Sequence, residues 1–390
     1  MCTRVRTHVT ATSVSLMQTR GKRVVIVGQS GISKQTYLEK VVGQQYVAKE
    51  ERNKMTLFNV GNEMYKEAEK AGGKIEPGKI LKLPLLRLNM LRRSVCKDLI
   101  CHCDMHPKEN VLINTHSCFR WERGLFHAFD FDLLARLSPD MYITLIDDVD
   151  AIYSRLAQRE DPHVFEFSLK DIMVWREEEI ITTEMLAFAQ LKPHFTIPQK
   201  NPIDTLFKLM FRDDLKKSYI SFPITKVLDK PDIVDQIGEF RDTLAKHLIV
   251  FDPYTIQEKR LLLLANEAEE IGQTEIEVKT LGKKNRFNLS DIKSIEKDID
   301  GQIISRDFRL IDQSDMVIAF IPEVKGEPDI SAGVQSEIQY AHDLPREVYV
   351  IWPSKKEPSV WVEAMATQVF KGKKAFEETL DFLKKEGSVK

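Results

Sequence analysis

Two stretches of the chain carry side chains whose types and spacing can do chemistry. In the first, Asp307 and Glu337 stand on either side of Met316 to Ile321 (MVIAFI), a buried parallel strand by its shortness and lack of polar residues. A polar loop with Pro322, Gly326 and Pro328 follows, then Ser331-x-Gly333-x-x-x-Glu337, leading into a helix. A carboxylate in the first turns of a helix beyond a buried strand sits where open α/β sheets place their ligands. The same position also suits an acid that complements the helix dipole.

The second stretch is Lys22 to Val27 (KRVVIV), a buried strand running into Gly28-Gln29-Ser30-Gly31-Ile32-Ser33-Lys34-Gln35-Thr36 and a helix. Strand, glycine-bearing loop, Lys and helix form a phosphate cradle: backbone N–H groups and the helix dipole hold the anion while the Lys neutralises it. Against the strict pattern, Ser33 replaces the last glycine and Gln35 the Ser/Thr that ligates magnesium. Thr36 stands one residue late.

The run SerxGlyxxxGlu-Ile-x-Tyr-Ala, preceded by Arg-Asp-Phe and SDMVIAF, resembles the nucleoside 2-deoxyribosyltransferase superfamily. The resemblance is closest to its branch of 2′-deoxynucleoside 5′-phosphate N-hydrolases. It implies that Glu337 attacks C1′ of the sugar to form a glycosyl-enzyme ester and that Asp307 assists departure of the base. Ser331 stands where the transferase branch carries an aspartate, and a neutral hydroxyl beside Gly333 can approach a phosphate dianion that an aspartate would repel. Lys217 to Thr225 (KSYISFPIT) resembles the family's first strand and sugar loop, which implies substrate contacts from Ser221 and Pro223. Phe222 stands where that loop commonly has glycine. Glu363 occupies the place where the phosphate-specific branch often supplies a second serine to a neighbouring subunit, so the resemblance also implies a homo-oligomer formed through this region. It covers about 217 to 385.

Residues from about 22 to 200 resemble the archaeal-type adenylate kinases: phosphate loop, FxxGxxMxxxA, a strand ending in Thr115-His116-Ser117, LxPD before a strand, and LxxRED at the lid. The resemblance implies that Gly28, Gly31, Ser33, Lys34 and Thr36 hold ATP phosphates, with Mg2+ as companion. Arg92 or Arg93, Arg159 and Arg176 become candidates for further phosphate contacts. Asn114 replaces the family's magnesium-organising aspartate, and the lid after Arg159 turns acidic and aromatic (EDPHVFEF). These departures favour nucleotide binding over efficient phosphoryl transfer.

The rest of the chain is consistent with two α/β domains, each a mostly parallel sheet flanked by helices: P-loop kinase-like over 21–205, then flavodoxin-like over 206–390. Residues 1–20, basic and without an acid, read as a disordered extension or a transit peptide. A formal net charge of −2 argues against a broad nucleic-acid footprint, and no apolar run is long enough to span a membrane. Five cysteines, Cys2, Cys96, Cys101, Cys103 and Cys118, without a secretory signal point to free thiols and a cytoplasmic location. Their C-x4-C-x-C spacing fits no zinc finger, so no metal site is expected there. Phe126, Phe129 and Phe131 read as core at near-helical spacing, and Lys-rich 279–298 as a solvated loop and helix face. Together these readings describe an enzyme of nucleotide metabolism that acts on the N-glycosidic bond of a nucleoside or nucleoside monophosphate and needs no cofactor in its second half. A non-catalytic nucleotide sensor, and a monophosphate kinase with a binding-only second domain, are the alternatives.

Overall fold

A computed structural model describes residues 20–43, 54–76, 79–80, 83–121, 124–158, 167–227 and 230–385. The expected extension over 1–20 and the candidate Arg159 fall outside them, apart from Arg20. The first half is a five-stranded sheet of β1 (Arg23–Val27), β2 (Met55–Asn59), β3 (Asn110–Asn114), β6 (Met141–Ile146) and β7 (His194–Pro198), in the order β2-β3-β1-β6-β7. Every pairing is parallel. The central strands are buried throughout, as a parallel sheet covered by helices on both faces requires. A small antiparallel hairpin, β4 (Cys118–Trp121) with β5 (Gly124–His127), hangs from the end of β3.

The second half repeats the plan with another topology. Its sheet contains β8 (Lys217–Ser221), β9 (Ile249–Phe251), β12 (Met316–Phe320), β15 (Glu347–Trp352) and β16 (Gln368–Lys371), all parallel, in the order β16-β15-β12-β8-β9. Counted along the chain this is 2-1-3-4-5, the flavodoxin-like order, whose ligand crevice opens where the winding reverses between β8 and β12. Between these strands the chain forms an antiparallel hairpin, β10 (Glu275–Thr280) with β11 (Lys283–Asn288). In the segment 279–298, read as a solvated loop and helix face, the expected loop is strand at 279–280 and 283–288, while helix follows at 289–294 and from 296. The short pair β13 (Glu323–Val324) and β14 (Glu327–Pro328) shapes the loop before the Glu337 helix.

The two sheets share apolar packing. One continuous cluster runs from Val24, Ile26 and Ile143 through Leu206, Leu209 and Met210 of the helix Thr205–Phe211 to Tyr219, Val317 and Val350. A second joins the helices Val149–Leu156 and Leu169–Ala189 to the helix Lys259–Glu270 and the β10–β11 hairpin. At the seam, Gln313 places its side-chain amide on the edge of β7, accepting from Thr196 N and donating to Thr196 O, each at 2.9 Å. Phe195 of β7 and Phe251 of β9 stack beside it with centroids 6.3 Å apart. The helix Leu169–Ala189 opens with a capping box, Ser168 with Asp171, and buries Ile172, Arg176, Glu179 and Thr183 along one face. No helix among the described residues is long and apolar enough to cross a membrane.

Candidate functional site

The crevice between β8 and β12 collects the carboxylates singled out from the sequence. Tyr219 and Ser221 are two residues apart on β8 and so share a face. The Ser221 hydroxyl donates to Glu337 Oε2, on the helix Ala332–Asp343 that follows β12, so this bond spans the switch point. Tyr219 is fully buried and brings its hydroxyl toward the same carboxylate. Asp307 approaches from the helix Glu296–Asp312, where Arg306 grips its Oδ1 through Nε at 3.0 Å and Nη2 at 2.9 Å. Arg306 also donates to the Ile256 carbonyl at 3.3 Å.

Burial, and then the charge of Asp307, push the Glu337 carboxyl up to about 7 against the opposing effects of Ser221, Tyr219 and Arg306. Burial raises Asp307 as well, although Arg306 draws it back. The two carboxyls, one buried and one half-buried, share the field of one site, so their protonation states are those of a pair. Ser331 is the N-cap of the Glu337 helix, its Oγ accepting from Val334 N at 3.2 Å, which leaves the hydroxyl proton available for donation. Gly333 is exposed, and a Cβ there would meet only Ser331 Oγ, at 3.7 Å. Pro223 is buried just past the end of β8. Phe222 points to the opposite face of the sheet, against Phe240 and Tyr254, so the bulk that replaces the expected glycine stays clear of the carboxylates. Glu363 pairs with Lys371 at 2.8 Å.

The glycine loop after β1 is a second, differently built site. Gly28 and Gly31 hold φ of 142° and 87°, and a Cβ would lie 2.7 Å from Leu145 O at the first and 2.9 Å from Leu156 Cγ at the second. Only glycine fits either place. Ser33 adopts the left-handed region (φ 58°) without capping the helix Lys34–Val42, whose first turn contains no acid. The leading N–H groups of that helix are therefore unclaimed by a side-chain cap. Lys34 is buried, with its ammonium donating to Gly28 O and lying 3.3 Å from His116 Nε2. His116 Nδ1 lies 2.8 Å from Glu179, a buried carboxylate that also accepts from Ser117 N at 2.9 Å. Burial would raise Glu179, but His116, Lys34 and Ser117 together hold it below the usual range. His116 thus locates the lysine.

Where the strict pattern would hold magnesium, three amides meet: Gln35 Oε1 accepts from Asn59 at 2.7 Å and from Asn114 at 3.1 Å. Neutral amides that satisfy one another make a poor seat for a hard dication. The cradle fits a phosphate, but these residues do not fit a magnesium ion at the usual position. Thr36 is exposed and faces a neighbouring cavity.

Arg176, expected at the phosphates, is committed elsewhere. It is 5% exposed and pairs with Glu258 of the second half at 2.5 and 3.0 Å, while donating to Asp147 O at 3.1 Å. The arginine that meets the loop is Arg155, through Gly31 O at 3.1 Å and Asp147 at 2.8 Å. It stands four residues before Arg159 in the sequence, outside the LxxRED motif. Asp147 and Asp148, at the end of β6, were likewise missed; a double acid directly after a buried strand is the signal that could have found them. Among the described residues no group of three or more His, Cys, Asp or Glu is placed to hold a metal ion.

Comparison with known proteins agrees with the first half of this picture. Residues 27–164 match a family model described as an AAA domain. Adenylate kinase of Methanocaldococcus jannaschii is 24% identical over 141 residues, which cover 36% of this chain and 70% of that protein. Two solved structures align at 12% identity each. A 2-deoxyribosyltransferase from Bacillus psychrosaccharolyticus covers 45% of this chain and 97% of its own, with a TM-score of 0.26. Shikimate kinase from Bacteroides thetaiotaomicron covers 48% and 97%, with a TM-score of 0.30. The chain is thus similar, over residues 27–164, to an AAA-domain family model, and, over 141 residues, to an archaeal adenylate kinase.

Proposed function

We propose that the second half cleaves the N-glycosidic bond of a nucleoside 5′-monophosphate through Glu337, and that the first half binds ATP without fast phosphoryl transfer. The observation that carries the first part is the pair of the half-buried Glu337 and the buried Asp307 at the switch point, held by Ser221 and Arg306 respectively. Glu337 as carboxylate attacks C1′, the C1′–N bond breaks, and the base leaves with the proton held by Asp307. Water, deprotonated by the same aspartate, then hydrolyses the sugar ester. The Glu337 form that attacks is the ionised one, so this limb of the rate rises with pH through about 7. Ser331 and the open backbone at Gly333 receive the 5′-phosphate.

For the first half, the glycine cradle and Lys34 support ATP binding, and the Gln35–Asn59–Asn114 amide cluster speaks against a tightly held magnesium. The two regions are proposed as domains over 21–205 and 206–390, packed into one unit. The deciding experiment incubates the protein with nucleosides and monophosphates, with and without ATP, and measures free base and transferred phosphoryl groups together. Base release from monophosphates is expected. Phosphoryl transfer at ordinary kinase rates, about 1 to 100 per second, would instead establish the kinase reading. Neither product from any substrate would leave the sensor reading standing.

A further inference from the structure

A cavity of about 480 Å³ opens beside the glycine loop, within the size range of small-molecule sites. Both halves line it. The first contributes Thr36 and Lys40 from the loop helix and Lys200 from beyond β7; the second contributes Arg260, Lys279 and Leu281. Its three acids are already occupied. Asp147 holds Arg155, Asp148 accepts from Lys200 and from Gln257 N, and Asp150 accepts from Arg260 at 3.0 Å and from Thr280 Oγ1. Lys40 and Lys279 have no carboxylate partner among the described residues, so the wall carries a surplus of positive charge.

The β10–β11 hairpin that brings Lys279 here is firmly seated on the first half. Ile276, Val278 and Phe287 pack into the cluster containing Ile152 and Leu156, and Phe287 meets Tyr153 with centroids 5.1 Å apart. Its two-residue loop, Leu281-Gly282, has both φ positive, at 53° and 79°. That turn favours Asn or Asp followed by Gly, and a leucine there is held in a conformation it rarely adopts. Leu281 is 57% exposed at the cavity rim, so core packing does not account for it. Tyr37 and Ile203 line the same cavity and give it an apolar wall.

We infer that the nucleotide held by the glycine loop extends into this cavity and is clasped from the far side by the second half. Lys279 takes phosphate charge, and Leu281 covers the base or ribose. The inference rests on the reading of the first half as a nucleotide-binding region. The binding site is then complete only when both halves are present.

Calorimetry on the full chain tests it, with ATP and inorganic tripolyphosphate as separate probes. Lys279→Ala should weaken both ligands about tenfold by removing one charge from the wall. Leu281→Gly should weaken ATP by a similar factor and leave tripolyphosphate unchanged, without lowering the melting temperature, because glycine relieves the strained turn. Lys34→Ala serves as the reference for the loop itself. If Lys34→Ala loses ATP while both hairpin variants bind within twofold of wild type, the clasp is wrong and the nucleotide-binding reading survives. No ATP binding by the wild-type protein would overturn both. Loss of tripolyphosphate in Leu281→Gly would overturn the role given to the leucine.

Discussion

Around Lys34 the buried charges are a cation laid against a backbone carbonyl and an imidazole, and the Glu179 carboxylate behind that imidazole, with neutral amides where acids would sit in a metal-assisted phosphate site. Around Glu337 the charges are carboxylates, the half-buried Glu337 raised by its surroundings and by the charge of the buried Asp307, with Arg306 and Ser221 acting against that rise. At Gly28 and Gly31 the loop runs where a Cβ would meet Leu145 O and Leu156 Cγ, so its path admits no side chain at either place. The crevice instead holds its acids at a cost in solvation, the usual mark of groups kept for proton transfer or attack. On the proposed reading, one region holds a ligand and the other changes one.

The most severe test of that contrast is a pair of substitutions. Glu337→Gln should lower base release by about 10³-fold or more, since a carboxamide cannot attack C1′, while ATP binding stays intact. Lys34→Ala should do the reverse, and a Glu337→Gln protein that still releases base at the wild-type rate would end the assignment.

A smaller but still large effect belongs to the seam. Arg176→Ala leaves Glu258, 1% exposed, as an unpaired buried charge, and should destabilise the whole chain by about 3–5 kcal/mol in chemical denaturation. A loss below about 1 kcal/mol would mean that the halves do not depend on this pair.

The pH dependence of stability separates the two regions further. Because folding lifts the Glu337 carboxyl from 4.5 to about 7, its favourable contribution is fully present below about pH 4.5 and fades as pH rises through 7. Glu337→Gln should therefore be more stable than wild type at pH 8, by about 1–3 kcal/mol, with the gap closing near pH 4.5. Equal melting temperatures across this range would contradict the carboxyl-pair description.

The mildest effects are expected at Ser331. Ser331→Ala should cost about 1 kcal/mol through the lost cap. Ser331→Asp keeps a capping side chain, and so should spare stability while reducing turnover of the monophosphate more than that of the nucleoside. Equal loss on both substrates would reduce Ser331 to a helix cap.

Much of this was legible in the chain because the signals were strong and local. Met316–Phe320 and Arg23–Val27 are short apolar runs that only a doubly covered sheet can bury, and the glycines after β1 mark positions where a Cβ has no room. The Glu337 helix and the alignment of Asp307 with it came from the quoted motif, and the structure brings both to one crevice. The β10–β11 hairpin escaped notice because Leu281 stands where Asn or Asp would announce the turn, although Glu275, Glu277 and Lys279 alternate with the buried Ile276 and Val278 as a half-buried strand requires. The aromatic run near 126 looked helical by spacing, yet Phe126 lies on β5 and Phe131 is 48% exposed. Arg176 was misplaced because its partner, Glu258, lies 82 residues away, a distance over which no spacing rule reaches.

Gln313 carries one more consequence. Its amide occupies the N–H and C=O of Thr196 on the outer strand of the first sheet, much as the next strand of a growing sheet would. The side chain belongs to the second half, so cutting the chain between the halves would leave that border open as a template for self-association. A fragment ending near residue 205 is expected to form aggregates visible by light scattering, even where its own helices and sheet are retained.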